Sequence, residues 1–249
     1  MRGYELKSSV LIAFVGILLI ASGCEDRHYI EAPDHSIHGS GHLISETRPL
    51  PQFNSLQVNT VAGIELSQGT TQEVVVTVDD NIMEYITTEV SDGDLQIGIS
   101  PDVSLSDFTL TLHITIPELS AIAVNSVATV SSGDNFSGDV LLLAMNSVGT
   151  ISLDIAVNEV FSADNSVGTI DLRGTAVTHY AAVSSVGSIM AYDLYTDTTV
   201  VATNSVGNAY VRADDYLNAT INSTGSIFYR GHPEIQLVDN GTGSLIDAN

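Results

Sequence analysis

Short runs of alternating apolar and polar residues recur through the second half of this chain at nearly constant spacing. Ile151-Ser152-Leu153, Ile170-Asp171-Leu172, Ile189-Met190-Ala191 and Ile227-Phe228-Tyr229 share one register. Val140-Leu141-Leu142-Leu143-Ala144, Tyr180-Ala181-Ala182-Val183 and Ile235-Gln236-Leu237-Val238 form a second set of strand-forming runs. Period-2 alternation is what a strand with one buried face requires, and the β-branched residues crowding these runs argue against a helix. Between the two kinds of run stands nearly the same word. It is Asn125-Ser126-Val127, Asn146-Ser147-Val148-Gly149, Asn165-Ser166-Val167-Gly168, Ser184-Ser185-Val186-Gly187, Asn204-Ser205-Val206-Gly207 and Asn222-Ser223-Thr224-Gly225, with a weaker copy at Asn240-Gly241-Thr242-Gly243. The steps are 21, 19, 19, 20, 18 and 18 residues.

A repeat of that period predicts a stacked solenoid. The expected fold is all-β, a right-handed parallel β-helix of ~19-residue coils, each reading strand, tight turn, strand, loop. Six intervals at ~4.8 Å give a stack of roughly 29 Å. The column Ile151, Ile170, Ile189, Ala209, Ile227 and Leu245 is expected inside. So is the column Val127, Val148, Val167, Val186 and Val206, continued by Thr224 and Thr242. Gly supplies positive φ for the turn. Asn125, Asn146, Asn165, Asn204 and Asn222 are expected to form a structural turn ladder, because a side-chain amide can donate and accept at once. A row of ligand-binding amides is the other reading of that column.

The front of the chain has a different pattern. Arg2 and Lys7 precede an apolar run from Val10 to Ala21, and small residues lead into Cys24, the only cysteine. Residues 1–23 therefore read as a signal peptide. Their ending resembles a bacterial lipobox, which implies cleavage before Cys24 and its lipidation. About 12 apolar positions fall short of the ~20 a spanning helix needs. Residues 24–42 read as a polar tether carrying His28, His35, His38 and His42, a weak candidate for a transition-metal site. The β-helical domain follows over 43–249, with opening coils over 43–118 and regular repeats over 119–249. Within the opening part, Asn59-Thr60-Val61-Ala62-Gly63 is an early copy of the word, and the spacing of Ile82, Tyr85 and Ile86 predicts one short helix over 81–90.

Several of these segments carry a resemblance: Gly39-Ser40-Gly41, Glu46-Thr47-Arg48-Pro49 with Phe53, Gln68-Gly69, Asp79-Asp80-Asn81 with Glu89-Val90, and Ile116-Pro117-Glu118-Leu119. With the repeated word they resemble the autotransporter-adhesin head GIN domain family (DUF2807) of bacterial envelope proteins, over about residues 39–249. The resemblance implies a β-helical fold and an envelope location, commonly as a lipoprotein, and brings no catalytic or binding residues. Family repeats more often read Ser-Gly-Ser-Gly-Asp where this chain has Asn-Ser-Val-Gly.

Charge narrows the functions. Removing Arg2, Lys7 and Glu5 from the 7 basic and 30 acidic residues leaves 5 and 29, a net charge of −24 with no lysine. Nucleic-acid binding needs a positive face, so no such partner is expected. Asp92, Asp94, Asp102 and Asp107 could hold calcium, but no calcium-loop spacing is present, and no metal or cofactor is assigned. Among enzyme readings, a carbohydrate-active β-helix using Asp214 or Asp215 near Gly231-His232 is the alternative. Arg173, Arg212 and Arg230 are read as lying at different phases of the coil, and His113 as facing outward. The expected protein is non-enzymatic, an adhesin-like or scaffold β-helix of the cell envelope, in the outer membrane. Lipidated Cys24 holds it on the membrane, and its partner is an envelope glycan or protein. The exposed edge of the last coil offers a route to self-association.

Overall fold

The structure is a computed structural model in which residues 36–249 are described. The signal segment, Cys24, His28 and His35 lie outside the described residues. The alternating runs become two long parallel faces. Sheet 1 is made by the segments after each copy of the word, and sheet 2 by those before it. In sheet 1, Leu112, Ile64, Val130, Ile151, Ile170, Ile189, Ala209 and Ile227 succeed one another in register. All eight are at most 1% exposed, so the isoleucine column lies inside. Burying each Val, Leu or Ile side chain of this ridge contributes about 1.5–3 kcal/mol.

Strands Ala128–Met145, Gly149–Asp164, Thr169–Val183 and Ser188–Thr203 pass unbroken from sheet 1 into sheet 2. The second corner is therefore a bend within a paired strand, where the sequence reading placed a loop. Backbone pairing resumes directly on either side of it, as in Val157↔Ala176 and Glu159↔Thr178, with only the corner residues Asn158 and Val177 left out of the register.

The valine column is the main correction. Val61, Val127, Val148, Val167, Val186 and Val206 are 50–58% exposed. Period-2 counting holds only within a strand, and Ser and Val occupy the bend itself. Valine sits at the apex of that bend, and the glycine after it turns inward: Gly168, Gly187, Gly207 and Gly225 are all buried. Those four glycines are not among the residues of positive φ, so conformational freedom does not explain them. Space does. A Cβ on Gly187, Gly207 or Gly225 would overlap the carbonyl oxygen of the glycine one coil earlier.

The expected helix over 81–90 is also corrected. Only Met83–Tyr85 forms a 3-10 turn, and Ile86–Ser91 continues as a strand paired antiparallel with Asp94–Ile99. Thr87, Thr88 and Val90 suit a strand, and the exposed edge of the first coil needs one. Coil order in space differs from chain order there. Residues 55–68 lie between 94–116 and 121–132. Glu73–Asp79 covers the remaining edge antiparallel to Thr111–Ile116, and Leu43–Thr47 covers that strand in turn. Part of the supposed tether belongs to this cap. Ile37–His38 pairs with Leu105–Ser106, and the buried Asp79 carboxylate accepts from the backbone of Gly41 at 2.6 Å and Thr109 at 3.2 Å.

Candidate binding surfaces at the two corners

At the first corner the asparagine side chains bond from coil to coil. Asn125 Nδ2 donates to Asn59 Oδ1 at 2.9 Å, Asn146 to Asn125 at 2.9 Å, and Asn165 to Asn146 at 2.9 Å. Asn222 donates to Asn204 at 2.8 Å and Asn240 to Asn222 at 3.0 Å. Ser184 interrupts the row, and the buried Oδ1 of Asn165 has no partner there. Outside this row runs the exposed valine column. None of the eight copies of the word, from 59–62 to 240–243, contains an ionisable residue. In a chain of net charge −23, the bends of this corner present Val and Thr with no charged side chain of their own, and Asp164 and Asp239 stand just before two of them.

Between the two corners the core holds polar side chains that no sequence pattern marked. Ser162 Oγ and His179 Nε2 lie 2.8 Å apart, both fully enclosed, and His179 Nδ1 has no partner. Burial pushes the His179 pKa down to about 4. Asp164, in register between Met145 and Val183, is pushed up to about 6 by burial, while the backbone N–H groups of Ser166 and Ser188 pull it the other way. Ser162 and His179 form a pair without a third member: Asp164 lies in register with Val183, four residues along the strand from His179, and the second histidine nitrogen has no partner, so no triad is assembled.

The second corner is irregular and grooved. A cleft of about 450 Å³ is lined by Gly138, Asn158, Ala176, Tyr195, Asp197 and Asp214, among others. Tyr195 is 52% exposed at its edge. The Arg212 guanidinium lies 4.1 Å over the Tyr195 ring, and its Nε is 3.2 Å from Asp214 Oδ1. Thr196 and Thr199 both donate to the Arg212 carbonyl, at 2.5 and 2.7 Å. Arg212 and Arg230 prove to be paired in register, so they share a column and the sequence reading of separate phases is corrected for these two. Arg230 stands 4.2 Å over Tyr192, and Tyr192, Tyr210 and Phe228 form a contact row with ring centroids 5.6 and 4.8 Å apart. These aromatics recur one repeat apart in the sequence, a signal that could have found them.

The remaining sequence candidates do not converge. Asp214 is engaged by Arg212, and among the described residues no side-chain hydrogen bond joins Asp215 to His232. Asp94 accepts from Ser55 and Gln57, and Asp107 pairs with His38. No three His, Cys, Asp or Glu side chains gather into a metal-binding group among the described residues. His113 faces outward beside Glu65 at 2.9 Å.

No curated protein matches the chain. Solved structures do. A "putative adhesin" from Bacteroides fragilis is 26% identical with a TM-score of 0.79, the match covering 84% of this chain and 99% of that one. A "putative lipid binding protein" from Parabacteroides distasonis is 20% identical with a TM-score of 0.72, over 86% and 100%. A "putative adhesin" from Parabacteroides merdae is 22% identical with a TM-score of 0.64, over 85% and 99%. The latter two attest the fold alone. The model of the family described as "Putative auto-transporter adhesin, head GIN domain" (DUF2807) matches residues 52–233. That span takes in the capped first coils and nearly all of the repeats, and the chain belongs to this family.

Proposed function

We propose that this chain is a non-enzymatic, adhesin-like solenoid of the bacterial cell envelope. It is held on the outer membrane by lipidated Cys24 and presents a surface to a polymer or protein partner. The observation that carries this reading is the exposed valine row. Six half-exposed valines in successive coils add little to folding, yet they form a continuous uncharged strip on a strongly acidic protein. Contiguous exposed apolar surface on a soluble domain marks an interaction site. The family's description as adhesin agrees with that use.

Surface plasmon resonance of the purified chain against a panel of envelope glycans and outer-membrane proteins tests the reading. Replacing Val148, Val167 and Val186 together by Ser should weaken capture of the partner about tenfold while leaving the melting temperature unchanged. Capture unaffected by the triple variant overturns the role of the row. For the anchor, Cys24→Ser should release the protein from the membrane fraction, and a variant that stays bound excludes lipidation as the tether.

A further inference from the structure

We propose that the cleft at the second corner is a subsite for a neutral, hydroxyl-rich saccharide lying along the solenoid axis, an inference that rests on the adhesin reading and names one ligand class for it. The cleft runs across successive coils. Gly138, Val157, Ala176 and Thr196 follow one another in register, as do Ala156, Thr175 and Tyr195. Small side chains thus make the floor through three coils, and in the fourth Tyr195 rises as a wall. Coils repeat at ~4.8 Å, close to the length of one pyranose along an extended chain, so successive sugars would meet equivalent levels of the stack.

The chemistry of the lining selects among ligands. Its charged groups are Asp197 and Asp214, and the adjacent guanidinium of Arg212 lies over the Tyr195 ring with its buried Nε 3.2 Å from Asp214 Oδ1, an ion pair without a hydrogen bond at that atom. Carboxylates accept hydrogen bonds from hydroxyl groups and repel an acidic sugar or a phosphate. Val157, Val177 and the Tyr195 ring offer apolar surface to the C–H faces of a sugar. A peptide is disfavoured because the strands cross the cleft with their backbone groups already paired to neighbouring coils, leaving no edge to extend. The wall is also rigid before any ligand arrives. Thr196 and Thr199 fix the Arg212 backbone, and the Asp214 and Asp215 amides donate to Thr196 and Asp197 at 2.8 and 2.9 Å. Such preorganisation lowers the entropic cost of binding.

Isothermal titration of the full chain with cellohexaose and chitohexaose, with hexagalacturonate as the acidic control, tests the site. At least one neutral hexasaccharide should bind, and hexagalacturonate should not. Tyr195→Ala should weaken that binding about tenfold at unchanged melting temperature, whereas Tyr195→Phe should stay close to the parent. Equal binding of the acidic oligomer, full binding by Tyr195→Ala, or no neutral binding at ~1 mM overturns the inference. If partner capture responds to the valine-row variant while both neutral sugars fail, the adhesin reading stands and this subsite alone falls.

Discussion

At the first corner the coils pass through nearly the same residues, Asn-Ser-Val-Gly with few substitutions, while at the second the equivalent positions read Asp139, Asn158, Val177 and Asp197. The regular corner is regular because backbone meets backbone there. Glycine stacks on glycine with no room for a Cβ, and amide bonds to amide. The irregular corner lies in a strand bend flanked on both sides by ladder pairs and free of the glycine-on-glycine contact, so its side chains are free to differ. Repetition in this solenoid therefore records a demand of the stack, and variation records where coils can be specialised.

Two glycines break this comparison most sharply. Gly207, at the first corner, would place a Cβ against the Gly187 carbonyl oxygen and the Val183 side chain, whereas a Cβ on Gly138, at the second, would meet nothing nearer than Val157 Cγ1 at 4.0 Å. Gly207→Ala should cost about 3 kcal/mol or more, because the neighbouring coil must move. Gly138→Ala should change stability by less than about 0.5 kcal/mol. Urea denaturation of both variants decides it, and equal effects at the two corners would sink the distinction.

The next effect concerns the polar group inside the regular corner. Asp164 has its pKa raised to about 6 from an unfolded value near 3.8, so its ionised form is the worse one in the fold. That penalty is absent below about pH 4 and complete above about 6, reaching up to about 3 kcal/mol at 1.36 kcal/mol per unit. His179 runs the opposite way. Its pKa is lowered to about 4 from 6.5, so stability is lost as pH falls through that window. Between pH 4 and 6 the two nearly cancel. Asp164→Asn, whose amide oxygen can still accept from Ser166, should be more stable than the parent by about 1–3 kcal/mol at pH 7 and equal to it below pH 4. Its stability should then fall steeply on acidification where the parent's is nearly flat. Denaturation midpoints across pH 4–7 measure this, and a variant weaker than the parent at pH 7 contradicts the buried-charge account.

Legibility in the sequence followed the same division. The isoleucine column could be read because Ile151, Ile170 and Ile189 lie within strands, where alternation holds. The valine column could not, because alternation lapses in the two-residue bend before each glycine. The glycines were visible, but their cause was not: only a stack at inter-strand spacing makes Cβ volume the limit. Thr87, Thr88 and Val90 leaned toward the strand that an open sheet edge recruited. Coil order at the capped end was hidden, since nothing local says that 55–68 inserts between later segments. Tyr195, Arg212 and Asp214 converge from two different coils, and that meeting is set by register alone.

The smallest expected effect separates the two columns of the first corner itself. Asn146 both donates to Asn125 and accepts from Asn165, so Asn146→Ala removes two side-chain hydrogen bonds. At about 0.5–1.5 kcal/mol net for each, and less where water can replace the partner, the loss should be about 1–2 kcal/mol. Its neighbour Val148 is 51% exposed, so Val148→Ser gives up little burial and should shift stability by less than about 0.5 kcal/mol. The two substitutions lie two residues apart in the same bend, which makes them a matched pair for thermal denaturation. Should Val148→Ser cost as much as Asn146→Ala, the valines would be needed by the fold, and an exposed row with no structural duty would no longer point to a partner.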